Sequence, residues 1–315
     1  MKTPGATILK KALHVFTFMY KRPGWVVPIA LIQLVVILTV GYIFFKITEQ
    51  ATFNEFNQRQ LVIAIKATEG IEHYFETIVG SLKAFGRAPE IHHFDDRQAR
   101  VTLAREIREL KKYGVNDLGV LDAEGILRYS VMAGEIEGRN FSWRRYFKAA
   151  KAMNSRDSYI IQFIEFMGVE AGQKGVLIAI PLFESENGAD RNSPSFRGEF
   201  AGVAVSTLKL DTVIQKFITP LKGSDRGQAL LLDDRYNVLW EPDIALFGKN
   251  LLKEVEGFPL FRKALEGMRN VLSGTAKYSY YQFDASKSRF TNEIGDHLIA
   301  FAPVHLGKQF WTLGV

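Results

Sequence analysis

The chain contains no cysteine among its 315 residues. This absence excludes a disulfide-stapled scaffold and any site that uses a thiolate as nucleophile or metal ligand. Acidic residues are missing before Glu49, whereas five of the 40 Lys and Arg residues precede position 25. Because the other 35 basic residues almost balance the 34 acidic ones, the net charge of +6 belongs mainly to the N-terminal tail. The composition therefore does not indicate a nucleic-acid-binding domain, which needs a basic face on its folded part.

Charged residues are also missing from the 21 positions between Trp25 and Phe45. A helix of that length rises about 32 Å, enough to cross a hydrocarbon core of about 30 Å. Basic flanks stay on the cytoplasmic side of a membrane helix. We therefore expect a cytoplasmic tail (residues 1–24), a transmembrane helix (25–45) and an extracytoplasmic remainder. A cleaved signal peptide is the alternative, but its apolar region is shorter, and no small-x-small cleavage site follows this run.

Proline is absent between Ile47 and Gly86, and apolar residues recur there at helical spacing. This pattern predicts a long amphipathic helix of about 60 Å. Its apolar face either packs on its own domain or pairs with the same helix of a second subunit, and we expect a homodimer. A second helix is predicted from Asp95 or Asp96 to a stop at Gly114. The two helices account for residues 46–113.

A repeated pattern of short strands and turns occupies the rest of the chain. The first copy consists of GVLDAEGILRYS (119–130), Gly-Arg-Asn-Phe (138–141) and a predicted helix near 145–150. The second copy has the same order: LLLDDRYNVLWEP (230–242), Gly-Lys-Asn-Leu (248–251) and a predicted helix near 260–265. Each half begins with a predicted hairpin, and strand pairs follow at 175–183 with 200–208 and at 297–304 with 310–315. The duplication indicates two stacked modules, residues 114–222 and 223–310, each an antiparallel sheet with helices on one face.

This order of elements resembles the double Cache sensor domains of bacterial transmembrane receptors. The similarity covers residues 46–315 and includes a helix-start motif, FSWRRYFKAA (141–150), and a closing strand, Gly202–Ser206. It implies an α+β fold with two tandem PAS-like modules, the first of them membrane-distal and the second membrane-proximal. It also implies a small-molecule sensor in the inner (cell) membrane, with its sensor region in the periplasm or outside the cell, coupled to a histidine kinase, a diguanylate cyclase or a chemotaxis module.

The resemblance implies a ligand pocket in the distal module, lined by Trp143, Arg144, Tyr146, Phe147 and Tyr159. A guanidinium can hold a carboxylate through two parallel hydrogen bonds while aromatic rings exclude water. Amino-acid-binding members carry an aspartate two residues after the tyrosine, and Ile161 occupies that position here. An organic acid is therefore the favoured ligand and an amino acid the second. Neighbouring helical residues differ by about 100° in direction, so at most one of Arg144 and Arg145 should face inward.

Catalytic motifs are missing as well. The sequence contains no Gly-x-Ser-x-Gly, His-Glu-x-x-His or phosphate-binding glycine loop, so we expect no enzyme activity in this region and no metal or cofactor. The main alternative to a sensor is a membrane-anchored adaptor that uses the two modules as a spacer for protein contacts. Residues 311–315, Trp-Thr-Leu-Gly-Val, are expected to begin a second transmembrane helix with a tryptophan at the membrane interface.

The predicted orientation can be tested with a reporter that is active only in the periplasm. Fusion after Gln50 should give activity, because this position follows the membrane helix, and fusion after Lys21 should give none. Activity of the reporter in cells measures the side of the membrane directly. The opposite pattern would reverse the orientation.

Overall fold

A computed structural model describes residues 26–92, 96–132, 134–166, 173–184, 199–221, 228–242, 246–270, 273–284 and 289–315. The predicted cytoplasmic tail, Trp25 and Asp95 lie outside these residues. The chain divides into two units, residues 1–59 and 60–315. Each unit is described separately below.

The first unit contains the apolar part of helix α1, which spans Val26–Gly86. This helix is long and apolar enough to cross a membrane. All of the large apolar side chains between Leu31 and Phe45 are more than half exposed. An apolar helix that is exposed all round needs a lipid environment or a protein partner. Phe53 and Phe56 are also exposed, by 45% and 52%.

In the second unit, α1 buries one face. The fully or almost fully buried side chains of this face recur at helical spacing and are Ala67, Ile71, Tyr74, Phe75, Ile78, Val79, Leu82 and Phe85. A short helix, α2 (Pro89–His92), and helix α3 (Asp96–Leu110) follow. A 3₁₀ turn then ends at Gly114, which adopts φ 73° and donates its N–H to the Lys111 carbonyl. The second predicted helix is thus confirmed together with its glycine stop.

Two five-stranded antiparallel sheets follow. The first sheet has the order β2-β1-β5-β4-β3 and the second has the order β7-β6-β10-β9-β8. The strands of the first sheet are β1 (Val115–Asp122), β2 (Leu127–Ser130), β3 (Ile160–Glu165), β4 (Lys174–Phe183) and β5 (Phe200–Lys209). Those of the second are β6 (Leu230–Leu232), β7 (Val238–Trp240), β8 (Gly274–Asp284), β9 (Arg289–Leu306) and β10 (Gln309–Gly314).

Four further helices connect these strands. They are α4 (Arg145–Lys151), α5 (Leu210–Val213, continued by a π-helical turn at Ile214–Ile218 and a 3₁₀ turn at Thr219–Leu221), α6 (Leu251–Glu254) and α7 (Pro259–Asn270). The α+β fold of two similar modules is confirmed. Strands β3 and β8 are additional to the strands that we predicted.

The internal repeat is preserved in the hydrogen bonds of the two hairpin turns. In the first turn, one carboxylate oxygen of Asp122 accepts the backbone N–H groups two and four residues later, at 3.1 and 2.8 Å. Asp233 repeats both bonds in the second turn, each at 2.8 Å. Such a capped turn explains why an aspartate begins each hairpin turn. Asp122 and Asp233 are therefore structural parts of the hairpins.

Helices pack on both faces of each sheet, which corrects the expectation of helices on one face only. In β4, Ile178 and Ile180 share a core cluster with α1, whereas Leu177 and Ala179 belong to a second cluster with α4. The second sheet has the same arrangement, with α1 on one face and α7 on the other. Every residue of β4 after Lys174 is buried. Alternation of side chains along a strand cannot produce this pattern unless both faces are covered.

The C-terminal segment differs from the prediction of a second membrane helix. Residues 309–314 form β10, which pairs with β6 on one side and with β9 on the other. Trp311 is 3% exposed, and its ring meets that of Phe75 edge-on at 5.4 Å between centroids. The prediction that 311–315 begin a transmembrane helix is therefore wrong. A short apolar run has the same composition in a central strand as at the end of a membrane helix.

The buried face of α1 should dominate the stability of the second unit. Ile78 has no exposed surface, so Ile78→Ala should lower the free energy of unfolding by about 2–5 kcal/mol through lost burial and a cavity. Ile294→Ala is the matched control, since this side chain is 61% exposed, and it should be nearly neutral. Denaturation of the full chain in detergent measures both. Equal effects would contradict this packing.

Candidate functional site

The turn between β1 and β2 positions the helix-start motif of the first module. Gly125 adopts φ 84°, and a side chain added there would lie 2.7 Å from the Ser142 nitrogen. The Phe141 N–H donates to the Gly125 carbonyl at 2.7 Å. Asn140 binds the same turn, because its side-chain amide donates to the Glu124 carbonyl at 3.2 Å. Glycine is required here because the two backbones touch and its φ is positive.

Helix α4 begins directly after this anchored segment. Arg144 occupies the N-cap position with extended backbone angles, φ −67° and ψ 142°. Its side chain is half-buried, whereas the side chain of Arg145 is exposed. This difference agrees with the expectation that at most one of the two arginines faces inward. The guanidinium carbon of Arg144 lies 4.3 Å from the centroid of the Trp143 ring, a distance typical of a cation–π contact.

Tyr146 and Phe147 are buried between α4 and the first sheet, at 7% and 2% exposure. They belong to a core cluster that also contains Leu177 and Val203 of the central strands. Phe147 meets Phe200 edge-on at 5.8 Å between ring centroids. Sequence reasoning missed Phe200 as a wall of this site, although it begins the strand that we identified as the closing strand.

The hydroxyl group of Tyr146 distinguishes this cluster from an ordinary apolar core. Burial raises its pKa to about 12, and the positive charge of Arg144 partly opposes that shift. The hydroxyl therefore stays protonated at neutral pH and lies within electrostatic reach of the guanidinium. A polar group in this position can bind a ligand oxygen, since buried hydroxyls are normally paired.

Tyr159 does not join these residues. It immediately precedes β3 and packs against the cluster shared with α1, whereas Tyr146 and Phe147 lie in the cluster on the opposite face. Its hydroxyl hydrogen-bonds to the backbone of Gly307 in the second module, and burial raises its pKa. Ile161 lies in the same α1-facing cluster and is 2% exposed. The structure thus brings together four of the five predicted residues and separates the tyrosine.

Trp143 occupies the outer side of the motif. It is 59% exposed, so its contact with the site passes through the Arg144 guanidinium. Among the described residues there is also no group of three or more His, Cys, Asp or Glu side chains arranged to hold a metal ion. The arrangement is that of a cationic and hydroxyl donor pair above an aromatic wall, which suits an oxyanion.

Comparison with known proteins gives a match to one family. The family profile described as Cache domain matches residues 47–315. No curated protein matches the sequence at a significant level.

Several solved structures share the fold. An extracellular ligand-binding receptor from Desulfohalobium retbaense superposes with a TM-score of 0.55 at 14% identity, over 81% of this chain but only 39% of that receptor chain. The ligand-binding domain of the Pseudomonas aeruginosa amino acid chemoreceptor PctB, in complex with L-Arg, superposes with a TM-score of 0.59 at 15% identity, over 83% of this chain and 94% of that one. The periplasmic sensory domain of the Campylobacter jejuni chemoreceptor Tlp1 superposes with a TM-score of 0.58 at 13% identity, over 83% of this chain and 94% of that one.

Proposed function

Since the chain belongs to the Cache domain family, we propose that residues 46–315 form the extracytoplasmic sensor region of a bacterial transmembrane signalling receptor. Residues 25–45 anchor it in the inner (cell) membrane, and the sensor region lies in the periplasm or outside the cell. The first module (114–222) is membrane-distal, and the second, which begins at residue 223 and includes β10 (Gln309–Gly314), is membrane-proximal. A histidine kinase, a diguanylate cyclase or a chemotaxis module would be the cytoplasmic output.

The ligand of the distal module is a small carboxylate held by Arg144. The observation that carries this proposal is the half-buried guanidinium of Arg144 beside the hydroxyl of the buried Tyr146. A carboxylate that accepts from both groups would make two charge-assisted hydrogen bonds at the edge of the wall formed by Phe147 and Phe200. Trp143 would hold the guanidinium plane in position through its ring. No catalytic step is needed, since binding alone is the function.

An organic acid fits the distal site better than an amino acid. An ammonium group needs an acidic partner, and Ile161, at the position expected for that acid, is buried on the α1-facing side of the sheet. PctB, which has this fold, was determined with L-Arg bound, so the amino acid remains the second candidate. A sensor also needs two states that differ in ligand affinity.

Substitution of Arg144 tests the site. The probe is the organic acid that most raises the melting temperature of the full chain in detergent. Arg144→Ala should lower the affinity of the protein for this acid at least about tenfold, because each charge-assisted hydrogen bond contributes about 1.5–3 kcal/mol. Arg144→Lys should also weaken binding, since an ammonium cannot reproduce the paired geometry, but less than Arg144→Ala does. Calorimetry measures the affinity of the unsubstituted protein and of both variants for this acid.

Arg145→Ala is the control for this experiment and should leave the affinity for the organic acid nearly unchanged. Full affinity in Arg144→Ala with loss in Arg145→Ala would assign the site to the other arginine. If no metabolite raises the melting temperature, the adaptor function is favoured, because ligand at 100 times its dissociation constant stabilises a protein by about 2.7 kcal/mol.

We also propose that the receptor is a homodimer through the exposed part of α1. Phe53, Phe56 and Ile63 are separated by three and seven residues and are 45%, 52% and 39% exposed. This spacing follows the 3.5-residue period of a coiled-coil seam. A second copy of the same helix would cover the three side chains with an identical surface.

Cysteine crosslinking in membranes tests the dimer, because the chain has no native cysteine. Phe56→Cys should crosslink strongly, since it lies on the proposed seam. Gln58→Cys is the matched control, because two residues along a helix rotate the side chain by about 200° to the opposite side. Equal crosslinking at both positions, or none at either, would contradict this seam.

A further inference from the structure

A cleft separates the edge of the first sheet from the hairpin turn of the second sheet. It has a volume of about 170 Å³. Strand β3 and the start of α4 form one wall, and the β6–β7 turn and the start of β10 form the other. This cleft is distinct from the Arg144 site, because its lining includes Ile161 and Phe163, which belong to the α1-facing side of β3.

Charges of both signs lie around the cleft and have no partners among the described residues. Arg145 comes from the first module, and Asp234 and Arg235 come from the second. All three side chains are exposed. None of them makes a hydrogen bond or a salt bridge from its side chain to another described residue. By contrast, the carboxylate of Asp233 in the same turn already accepts hydrogen bonds from two backbone N–H groups and one side-chain amide.

Two aromatic residues in the lining of the cleft join the two modules. Phe163 of β3 and Trp311 of β10 line the cleft, with ring centroids 4.8 Å apart. A ligand here would touch both modules at their contact. Aromatic side chains together with a few charged and polar groups are the usual composition of a small-molecule site. The volume is comparable to a cavity of about 150 Å³ that holds benzene, which limits the ligand to about six to eight non-hydrogen atoms.

We propose that this cleft binds a small zwitterion with one carboxylate and one ammonium group. Arg145 and Arg235 bind the carboxylate, and Asp234 binds the ammonium. A singly charged ligand would satisfy only one sign of charge and would leave the other without a partner. The site does not depend on the proposed function of Arg144, and it adds a second ligand class at the joint between the modules.

The test uses three zwitterions of increasing charge separation, L-alanine, β-alanine and γ-aminobutyrate, titrated calorimetrically into the full chain in detergent. At least one should bind, and butyrate, which lacks the ammonium, should not bind in the cleft. Asp234→Asn and Arg145→Gln should each lower the affinity for the zwitterion by at least about tenfold, because each removes one charge-assisted contact. Glu256→Gln, a matched neutralisation of an exposed carboxylate outside the cleft lining, should have no effect.

Arg144→Ala separates the two sites. It should leave zwitterion binding in the cleft unchanged while it abolishes organic-acid binding in the distal module. Zwitterion binding that is lost in Arg144→Ala but kept in Asp234→Asn would overturn the cleft and place the zwitterion in the distal site. The absence of binding by all three zwitterions would equally overturn the proposal, whatever the result for organic acids.

Discussion

The packing of one helix against two sheets is the constraint on which the rest of the second unit depends. One core cluster contains Phe75 and Leu82 of α1 together with side chains from both sheets, such as Ile178 and Trp311. Close-packed interiors transmit displacement because they contain few voids. Neither module can therefore move along this face of α1 without disturbing the packing of the other.

The features that the sequence predicted correctly are those that local interactions and residue periodicity specify. The hairpins were predictable because Asp122 and Asp233 cap turns whose local hydrogen bonds need no tertiary contact. The buried face of α1 was predictable from its period. Strand β8 carried a signal that we did not use, since Tyr278 and Tyr280 alternate with Lys277 and Ser279 along it. A period of two with aromatic residues on one face is typical of a strand with one buried side.

The remaining features depend on long-range pairing that local patterns do not specify. Trp311 has an apolar neighbourhood in the sequence that suits a membrane interface, and only the pairing of β10 with β6 and β9 places it in a core. Tyr159 shows the same limit at the candidate site. The family resemblance placed it in the pocket with Arg144, but the side of the sheet to which a residue points changes with every position. A family motif can thus be matched in order while one of its residues lies on the other face.

The separation of Tyr159 from Arg144 also bears on how a signal would cross the sheet. A ligand at the proposed Arg144 site would contact the face that packs on α4, whereas α1 packs on the opposite face, and Leu177 and Ile178 of β4 point to the two sides. Because neighbouring side chains of a strand point to opposite faces, such a ligand would influence α1 through movement of the strands. Tyr159 and Phe163 lie on the α1-facing side and contact Gly307 and Trp311 of the second module. A shift of β3 would therefore reach the second module through these two contacts, provided that the ligand binds the two positions of the sheet with different affinity.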